Sequence, residues 1–429
     1  QALVCADDNL PFGQSSCISC GTCLQVCPTG ALIDRHSVYC GHESEVQHRH
    51  TVCVGCAVTC DIDAVIRDNH LLRVEGRLDS PTTGLLCVDG RFKVLDPKPE
   101  RILRPLVRHD GDLAESSWED AVAEAAHGLR RARLPAGLAS PRLTSESLAA
   151  FALFFQEVLK SDEVSMLYGE VPPTDLGERA MLSEVAAADC IIVIGGDPLA
   201  EQKVVGYLVK RACDRGARLF VVNDTATELD AYATVCLHLE DISHAGQSPF
   251  ERFLKTYHLP IKGFVQLKAA IAAAERPVVL YGEGLSTTVY AALRALPDKV
   301  RFLPLVSGTN SAGAARLGLH ARPIDGDALY LLLGDDVPET IVLPHGPFTI
   351  VHAAYRSEWT DAADVVLPGR VWAEREGHVV NMEGRNVQVQ RMLDPPDGVP
   401  TFAAVLQQIA AALNQSLSLE QIPDLCLAV

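Results

Sequence analysis

The sequence predicts an α/β protein in which cysteine-rich N-terminal segments precede two Rossmann-like parallel-sheet domains. One observation is that eight cysteines fall into two groups within the first 87 residues. Another is that, beyond residue 105, short apolar runs that end in turn residues alternate with helical stretches. Parallel strands covered on both faces by crossover helices have this pattern.

The first cysteine group has the spacing of an iron–sulfur ligand set. It consists of Cys17, Cys20, Cys23 and Cys27, here called the first cysteine set. With Pro28 directly after it, the set matches the C-x2-C-x2-C-x3-C-P run of bacterial ferredoxins, in which the fourth cysteine binds a different cluster from the first three. The sequence therefore predicts a partial, ferredoxin-like [4Fe-4S] module over residues 1–50.

The fourth ligand of this first cluster stays open. Cys27, Cys5 or Cys40 would close it if the chain is complete; alternatively, residue 1 falls inside a two-cluster module whose first half precedes it. Histidine replaces cysteine on iron in Rieske centres, which makes His42 a further substitute. His36, His48 and His50 lie in the same stretch, and the H-R-H run just before Cys53 is interpreted more simply as an exposed basic linker.

The second cysteine group predicts a second [4Fe-4S] cluster. It consists of Cys53, Cys56, Cys60 and, after a long gap, Cys87, here called the second cysteine set. Zinc is the alternative for both sets, because C-x2-C pairs also occur in zinc sites. The rapid succession of thiols in the first set favours iron–sulfur clusters. Disulfides fit poorly, because ligand-spaced cysteines without a secretory signal indicate a reducing compartment.

The remainder of the chain carries the α/β pattern. A helix is predicted over 118–131, with Ser116 or Ser117 as its N-cap and acidic residues in its first turn. Further helices are predicted over 203–215 and 289–296. The predicted strands are 190–194, 218–222, 277–281, 328–333 and 364–367. Glycine turns follow two of the strands, but they lack the G-x-G-x-x-G pattern of a nucleotide site.

These patterns give four predicted domains. Residues 1–50 and 51–105 are the two cluster-binding segments, 106–245 is the first α/β domain, and 246–429 is the second with a C-terminal helix.

The formal net charge of −18 argues against a nucleic-acid partner, because phosphate binding needs a basic surface. No apolar run approaches the ~18 residues of a membrane span. A cytoplasmic location is expected, with peripheral docking on a membrane-bound complex left open.

Several motifs resemble the molybdopterin oxidoreductase superfamily. T-V-C-V-G-C-A-V-T-C-D-I (51–62), L-L-R-V-E-G (71–76) and L-C-V-D-G-R-F (86–92) are similar to its [4Fe-4S] domain. The segments 187–200 and 360–385 are similar to the two halves of its α/β body. The resemblance is strongest to two members, the large iron–sulfur subunit of NADH:quinone oxidoreductase (complex I) and the formate dehydrogenase alpha subunit.

Three departures from the catalytic members imply that the molybdenum bis-pterin cofactor is absent. No cysteine lies between the S-P-R-L-T-S-E-S segment and Cys190, so the usual metal ligand is missing. Asp89 stands where catalytic members carry a lysine between cluster and pterin. The chain also stops too soon after N-M-E-G-R to include the superfamily's cap domain, and N-S-A-G-A at 310–314 is closer to the complex I subunit.

The resemblance implies an iron–sulfur electron-transfer subunit of a multi-subunit NADH-linked oxidoreductase, with two [4Fe-4S] clusters and no catalytic residue of its own. Its expected partners are a flavin/NADH-binding subunit, other iron–sulfur subunits, and a terminal catalytic partner: a hydrogenase, a formate dehydrogenase or a quinone module. The alternative is a catalytic molybdenum or tungsten bis-pterin subunit that acts on formate. The expected cluster ligands are Cys17, Cys20, Cys23, Cys27, Cys53, Cys56, Cys60 and Cys87.

Overall fold

The computed structural model describes residues 9–11, 15, 17–238, 262–337 and 346–427. Cys5, one of the candidate ligands, lies outside these residues. The strands of the described chain are β1 Gln47–Val52, β2 Asp61–Arg67, β3 His70–Gly76, β4 Leu106–His109, β5 Asp112–Glu115, β6 Pro135–Ala139, β7 Val164–Met166, β8 Cys190–Ile194, β9 Arg218–Asn223, β10 Val235–His238, β11 Pro277–Tyr281, β12 Arg301–Pro304, β13 Ala328–Gly334, β14 Phe348–Ala353, β15 Val365–Pro368, β16 Gly377–Val380 and β17 Asn386–Val389.

The α-helices of the same residues are α1 Thr22–Gln25, α2 Val88–Arg91, α3 Trp118–Arg131, α4 Ser145–Leu153, α5 Leu182–Ala187, α6 Lys203–Asp214, α7 Lys262–Ala273, α8 Thr287–Arg294, α9 Ser311–Arg316, α10 Glu358–Ala362, α11 Phe402–Ala412 and α12 Ile422–Leu427. Helix α4 continues into a π-helix over Phe154–Leu159. Short 3₁₀ turns occupy Glu43–Glu45, Lys93–Leu95, Glu228–Tyr232 and Trp372–Glu374.

The strands form two large sheets and two small ones. Strands β1, β2 and β3 make a three-stranded antiparallel sheet, and β16 pairs with β17 in a hairpin. A five-stranded sheet has the order β10-β9-β8-β11-β12 and is parallel throughout. A seven-stranded sheet has the order β5-β4-β15-β14-β13-β6-β7 and is antiparallel only at β15-β4 and β4-β5. We call the two large sheets with their helices the α/β body.

The predicted fold class and its elements are confirmed. Strands β8 and β11 have the predicted bounds, β9 and β13 each extend one residue further, and β15 is shifted by one residue at both ends. Helix α3 runs over the predicted residues; its N-cap is Ser117, whose hydroxyl accepts a hydrogen bond from the Asp120 N–H at 3.0 Å. Helix α8 begins two residues earlier than predicted, because Ser286 caps it.

The two large sheets draw strands from both sides of residue 245, which was the predicted boundary between α/β domains. The five-stranded sheet uses residues 190–304, whereas the seven-stranded sheet uses 106–166 together with 328–368. The reason is that β13 pairs with β6 in parallel, from Ala328 opposite Pro135 to Leu332 opposite Ala139. The strands of the five-stranded sheet therefore lie, in sequence, between the two groups of strands that form the seven-stranded sheet.

The second cysteine set lies on the α/β body. Ala57, Val58 and Cys60 share a buried core with residues of the five-stranded sheet such as Val193 and Leu280. The seven-stranded sheet has a separate core that includes Phe151, Tyr330 and Leu406. The cluster-binding segment is thus packed directly against one sheet and its helices.

Candidate iron–sulfur centre

Three thiols of the second cysteine set come from one loop. Cys53 directly follows β1, and Cys60 directly precedes β2. The backbone N–H of Cys53 donates to the carbonyl of Cys60 at 2.9 Å, which closes the loop. The antiparallel pairing of Val52 with Asp61 brings the two ends together. The hairpin geometry therefore gathers Cys53, Cys56 and Cys60 on one side of the domain.

The fourth thiol, Cys87, is the N-cap of α2. Its sulfur accepts a hydrogen bond from the Gly90 N–H at 3.4 Å, and the sulfur of Cys53 accepts one from the Gly55 N–H at 3.4 Å. A Cβ at Gly90 would lie 3.1 Å from the Cys53 sulfur and 3.7 Å from the Cys87 sulfur. Gly90 therefore leaves room for both sulfur atoms beside the helix N-terminus, where N–H groups favour a thiolate.

Burial shapes the thiol chemistry of this set. Burial, followed by the nearby Cys87, raises the pKa of Cys53 to about 11. Burial and then the nearby Cys53 raise the pKa of Cys56 to about 12. Burial, followed by the three neighbouring thiols, raises the pKa of Cys60 well above its ordinary value. Thiolates that repel one another in a buried site need a cationic partner, and a metal supplies it while releasing the protons.

The donor set fits an iron–sulfur cube. No group of three or more His, Cys, Asp or Glu side chains in the described ranges is arranged to hold a single metal ion. A cube carries its four thiolates on separate iron atoms, whereas a zinc ion gathers them at about 2.3 Å from one centre. Four thiols with N–H groups aimed at two of them match the chemistry by which proteins tune such clusters.

The loop is anchored to distant parts of the chain by hydrogen bonds to two of its backbone carbonyls. The Thr309 hydroxyl donates to the carbonyl of Val54, and the N–H of Met382 donates to the carbonyl of Ala57 at 2.9 Å. These anchors lie far apart in sequence, after β12 and after β16. The ligand loop is consequently held by the segment after β12 and by the β16–β17 hairpin.

The first cysteine set lies around α1. Cys17 and Cys23 are exposed, whereas Cys20 and Cys27 are half-buried. Hydrogen bonds from the Leu32 N–H, at 3.4 Å, and from Thr29 lower the pKa of Cys27 to about 7. The contacts of Cys27 are therefore local, and its assignment to a cluster stays a prediction.

The other ligand candidates between the two sets have contacts of their own. The sulfur of Cys40 lies 3.3 Å from the His36 carbonyl. His48 pairs with Glu43 at 2.7 Å, and His50 lies 3.6 Å from Asp63. His42 caps the 3₁₀ turn that follows it. These contacts favour the linker interpretation of the histidines.

Asp89, the departure from the catalytic pattern, is neutralised by lysines. Lys203, at the start of α6, forms an ion pair with it, and Lys93 forms another at 2.7 Å. Although burial would raise the pKa of Asp89, hydrogen bonds from Lys203 and Lys93 hold it below its ordinary value. A lysine from the α/β body thus supplies the positive charge that position 89 itself lacks.

Paired charges occupy the carboxyl edge of the seven-stranded sheet, where α/β proteins bind ligands. Asp335 follows β13 and pairs with Arg375 at 2.5 Å, and both residues are buried. Arg142 lies 3.9 Å from Asp335 and from Asp336. The Ser140 hydroxyl donates to Asp336 at 2.5 Å. Arg142 Nε and Arg375 Nη1 are buried without a hydrogen-bond partner.

Three residues around the cysteines were not identified from the sequence: Gln25, Arg91 and Lys203. Arg91 and Gln25 connect the two cluster-binding segments through hydrogen bonds, and Lys203 of α6 forms an ion pair with Asp89. Arg91 lies within the motif L-C-V-D-G-R-F, so its proximity to the cluster ligand Cys87 could have been noted from the sequence. Nothing in the sequence pairs Lys203 with Asp89, because the contact spans 114 residues.

Three family matches cover most of the chain. Residues 11–33 match the 4Fe-4S binding domain, residues 46–94 match the Molybdopterin oxidoreductase Fe4S4 domain, and residues 101–399 match Molybdopterin oxidoreductase. The last match spans more than half of the chain. The chain therefore belongs to the molybdopterin oxidoreductase family, as its motifs predicted.

Individual relatives agree with this assignment. A subunit of the NADH-quinone oxidoreductase of Rhizobium meliloti is 31% identical over 94% of this chain and 58% of its own length. F420-dependent formate dehydrogenase 1 subunit alpha of Methanococcus maripaludis is 22% identical over 86% of this chain and 71% of its own. The solved structure of acetylene hydratase from Pelobacter acetylenicus has the same fold, with a TM-score of 0.59 and 14% identity over 85% of this chain and 69% of its own.

The chain spans little more than half the length of the first of these relatives. Among the described residues, no helix has both the length and the apolar character needed to cross a membrane.

Proposed function

We propose that this chain is an iron–sulfur electron-transfer subunit of a multi-subunit NADH-linked oxidoreductase. The observation that carries the proposal is the convergence of four thiols, from the β1–β2 loop and the N-terminus of α2, at one largely buried site beside a second cysteine set. When bound, iron–sulfur clusters supply one-electron transfer. The chain's own residues hold the thiols, direct N–H groups at sulfur and limit water.

Two [4Fe-4S] clusters are proposed, one in each of the segments 1–50 and 51–105. The family matches at 11–33 and 46–94 support this division. Iron–sulfur cubes account for both spacings, since each set offers four thiols. The proposed ligands are Cys17, Cys20, Cys23, Cys27, Cys53, Cys56, Cys60 and Cys87.

Direct contacts of the segment that carries the first cysteine set support an electron relay between the two clusters. The Gln25 amide donates to the Gly76 carbonyl at 2.7 Å and accepts from the Gly76 N–H at 3.0 Å. The Tyr207 hydroxyl donates to the Ile18 carbonyl at 3.1 Å. The segment that carries the first cysteine set is therefore docked on β3 of the second segment and on α6, which suits short-range electron transfer between the two segments.

The proposed partners lie at the two ends of this relay. A flavin/NADH-binding subunit and other iron–sulfur subunits would exchange electrons with the clusters, and a hydrogenase, formate dehydrogenase or quinone module would complete the reaction. Exposure of Cys17 and Cys23 supports an approach from the side of the first set. Two relatives carry the word subunit in their names, which supports a place in a complex.

A catalytic molybdenum or tungsten bis-pterin subunit is the second candidate. The unpartnered N–H groups of Arg142 and Arg375 favour it, because buried donors call for an acceptor. Against it, Asp335 and Asp336 already pair with these two arginines and would compete with an anionic cofactor for them. We therefore propose that this cofactor is absent.

Metal analysis of the purified protein tests the proposal. We expect about eight iron atoms per chain with matching acid-labile sulfide, as two cubes require, and no molybdenum, tungsten or pterin. Cys56→Ala should lose about four iron atoms, whereas Cys190→Ala, a buried cysteine of β8 outside both sets, should lose none. Zinc without sulfide would refute the iron–sulfur assignment, and stoichiometric molybdenum or tungsten with pterin would establish the second candidate.

A further inference from the structure

Arg91 is a buried cation at the junction of the two cysteine sets. It is the last residue of α2, four positions after Cys87, and only 4% of it is exposed. Its guanidinium donates to the Cys20 carbonyl at 2.6 Å and to the Gln25 side chain at 3.3 Å, both beside the first set. It also donates to the carbonyls of Val74, at 3.2 Å, and Gly84, at 3.3 Å, in the second segment.

All of these acceptors are neutral, which distinguishes Arg91 from the buried Arg375 and the partly buried Arg101. Arg375 is paired with Asp335 at 2.5 Å, and Arg101 with Glu374 at 2.7 Å. In the described part of the chain, no carboxylate lies within 4.0 Å of the Arg91 guanidinium. An unpaired buried cation is strongly destabilising. Its charge is therefore available to balance an anionic group bound nearby.

Such a group would be a cluster bound by the cysteines. The guanidinium contacts the backbone carbonyl of the proposed ligand Cys20 at 2.6 Å, and the helix that Arg91 ends begins directly after Cys87. A cluster held by four thiolates is anionic and gains a further negative charge when it is reduced. Nearby positive charge and hydrogen bonds stabilise the reduced form and so raise the reduction potential.

The backbone around Arg91 is shaped to admit it. Gly21 has a φ of 68°, and a Cβ there would lie 2.3 Å from the Arg91 Cδ and 2.7 Å from the Phe92 ring. A side chain at position 21 would therefore displace the guanidinium from the Cys20 carbonyl. The packing of Arg91 at the end of α2 therefore requires a glycine at position 21, in the turn between Cys20 and Cys23.

We propose that Arg91 is the shared counter-charge of the two cysteine sets, a positioning residue that docks the first set on the second and raises the reduction potential of the clusters they bind. The inference rests on the proposed iron–sulfur function. It adds a residue that ligates no iron but connects the two cluster-binding segments.

The test compares Arg91→Gln, Arg91→Lys and the native protein by iron and sulfide content and by reductive titration followed by electron paramagnetic resonance. Arg77→Gln is the matched control, because Arg77 belongs to the same segment but pairs at the surface with Asp79 at 2.6 Å. We expect Arg91→Gln to shift at least one cluster to a more negative potential than native. Arg91→Lys, which keeps the charge, should shift it less, and Arg77→Gln should match native.

Each outcome decides the proposal. An Arg91→Gln protein with native iron content and native potentials overturns it. If Arg91→Gln loses iron, the Arg91→Lys protein decides the case. Native iron content and near-native reduction potentials in Arg91→Lys support the role of charge, whereas loss of iron in Arg91→Lys as well overturns the proposal. Failure of the underlying function is separate, because it would already appear in the native protein as missing iron and sulfide.

Discussion

At the scale of single residues, the ion pair between Asp89 and Lys203 joins the cluster-binding segment to α6. Lys203 is one-quarter exposed and Asp89 less than half exposed, so solvent screens the pair in part. Lys93 also contacts Asp89, but it lies on the same segment and is mostly exposed. Of the two lysines, only Lys203 ties separate parts of the fold together.

We predict that Lys203→Met lowers the free energy of unfolding by about 1 kcal/mol, because Asp89 keeps only its more exposed partner. Lys93→Met is the control and should cost less. The measurement is urea unfolding at equal iron content. The exchange Asp89→Lys with Lys203→Asp should recover part of the loss, and equal effects of the two single lysine changes would argue against the bridging role.

At the scale of elements, the seven-stranded sheet contains a buried neutral histidine. His352 of β14 is fully buried; its Nε2 lies 3.2 Å from the Pro368 carbonyl and its Nδ1 3.1 Å from the Tyr330 hydroxyl. A carbonyl only accepts, so Nε2 carries the proton, and Nδ1 accepts from tyrosine. The ring packs against Phe402 at 4.7 Å. A second proton, on Nδ1, would reverse the hydrogen bond from Tyr330 and place a positive charge in the core.

This histidine predicts acid sensitivity of the sheet. Burial lowers the pKa of His352 to about 3, whereas an unfolded histidine titrates near 6.5. Between these values the unfolded chain binds one more proton than the folded chain, so stability falls as the pH drops below about 6.5. The contribution of this group is up to about 1.4 kcal/mol per pH unit.

The prediction is tested by unfolding measurements between neutral pH and pH 4. His352→Gln should be less stable than native at neutral pH and should show a shallower decline with acid. His127→Gln, at an exposed site in α3, should retain the native slope. An unchanged slope in His352→Gln would mean that other groups dominate acid unfolding.

The bounds of single strands could be predicted from the sequence, but the pairing of distant strands could not. Strands β8 and β11 were predictable to the residue, because continuous apolar runs end at Gly195 and Gly282, where the chain turns. The nesting of one sheet within the sequence of the other was not, because nothing local specifies that β13 returns to pair with β6. Likewise, spacing predicted the thiols of the second set, but not the contacts of Arg91.

At the scale of the whole molecule, the packing separates parts that depend on the cysteines from parts that do not. Cys60, Ala57 and Val58 belong to the core shared with the five-stranded sheet. The core of the seven-stranded sheet contains no residue of the ligand loop. The first cysteine set has little core of its own, since Cys17 and Cys23 are exposed.

Iron removal should therefore loosen the molecule in a fixed order. Without iron, the buried thiols of the second set take up protons and lose their common partner, because their pKa values are raised. We predict faster amide hydrogen exchange first in residues 17–27, then in 53–60 and 87–91. Strands β13 and β14 should stay protected, because their core is independent of the ligand loop.

The experiment compares native protein, chelated protein and protein reloaded with iron and sulfide, by hydrogen exchange and mass spectrometry. Cys190→Ala should follow native at every stage, whereas Cys56→Ala should resemble the chelated protein around residues 53–60 before any chelator is added. Uniform loss of protection, including β13 and β14, would instead make the clusters a requirement for the whole α/β body. Loss confined to residues 17–27 would mean that contacts such as Thr309 with Val54 hold the second ligand loop without iron.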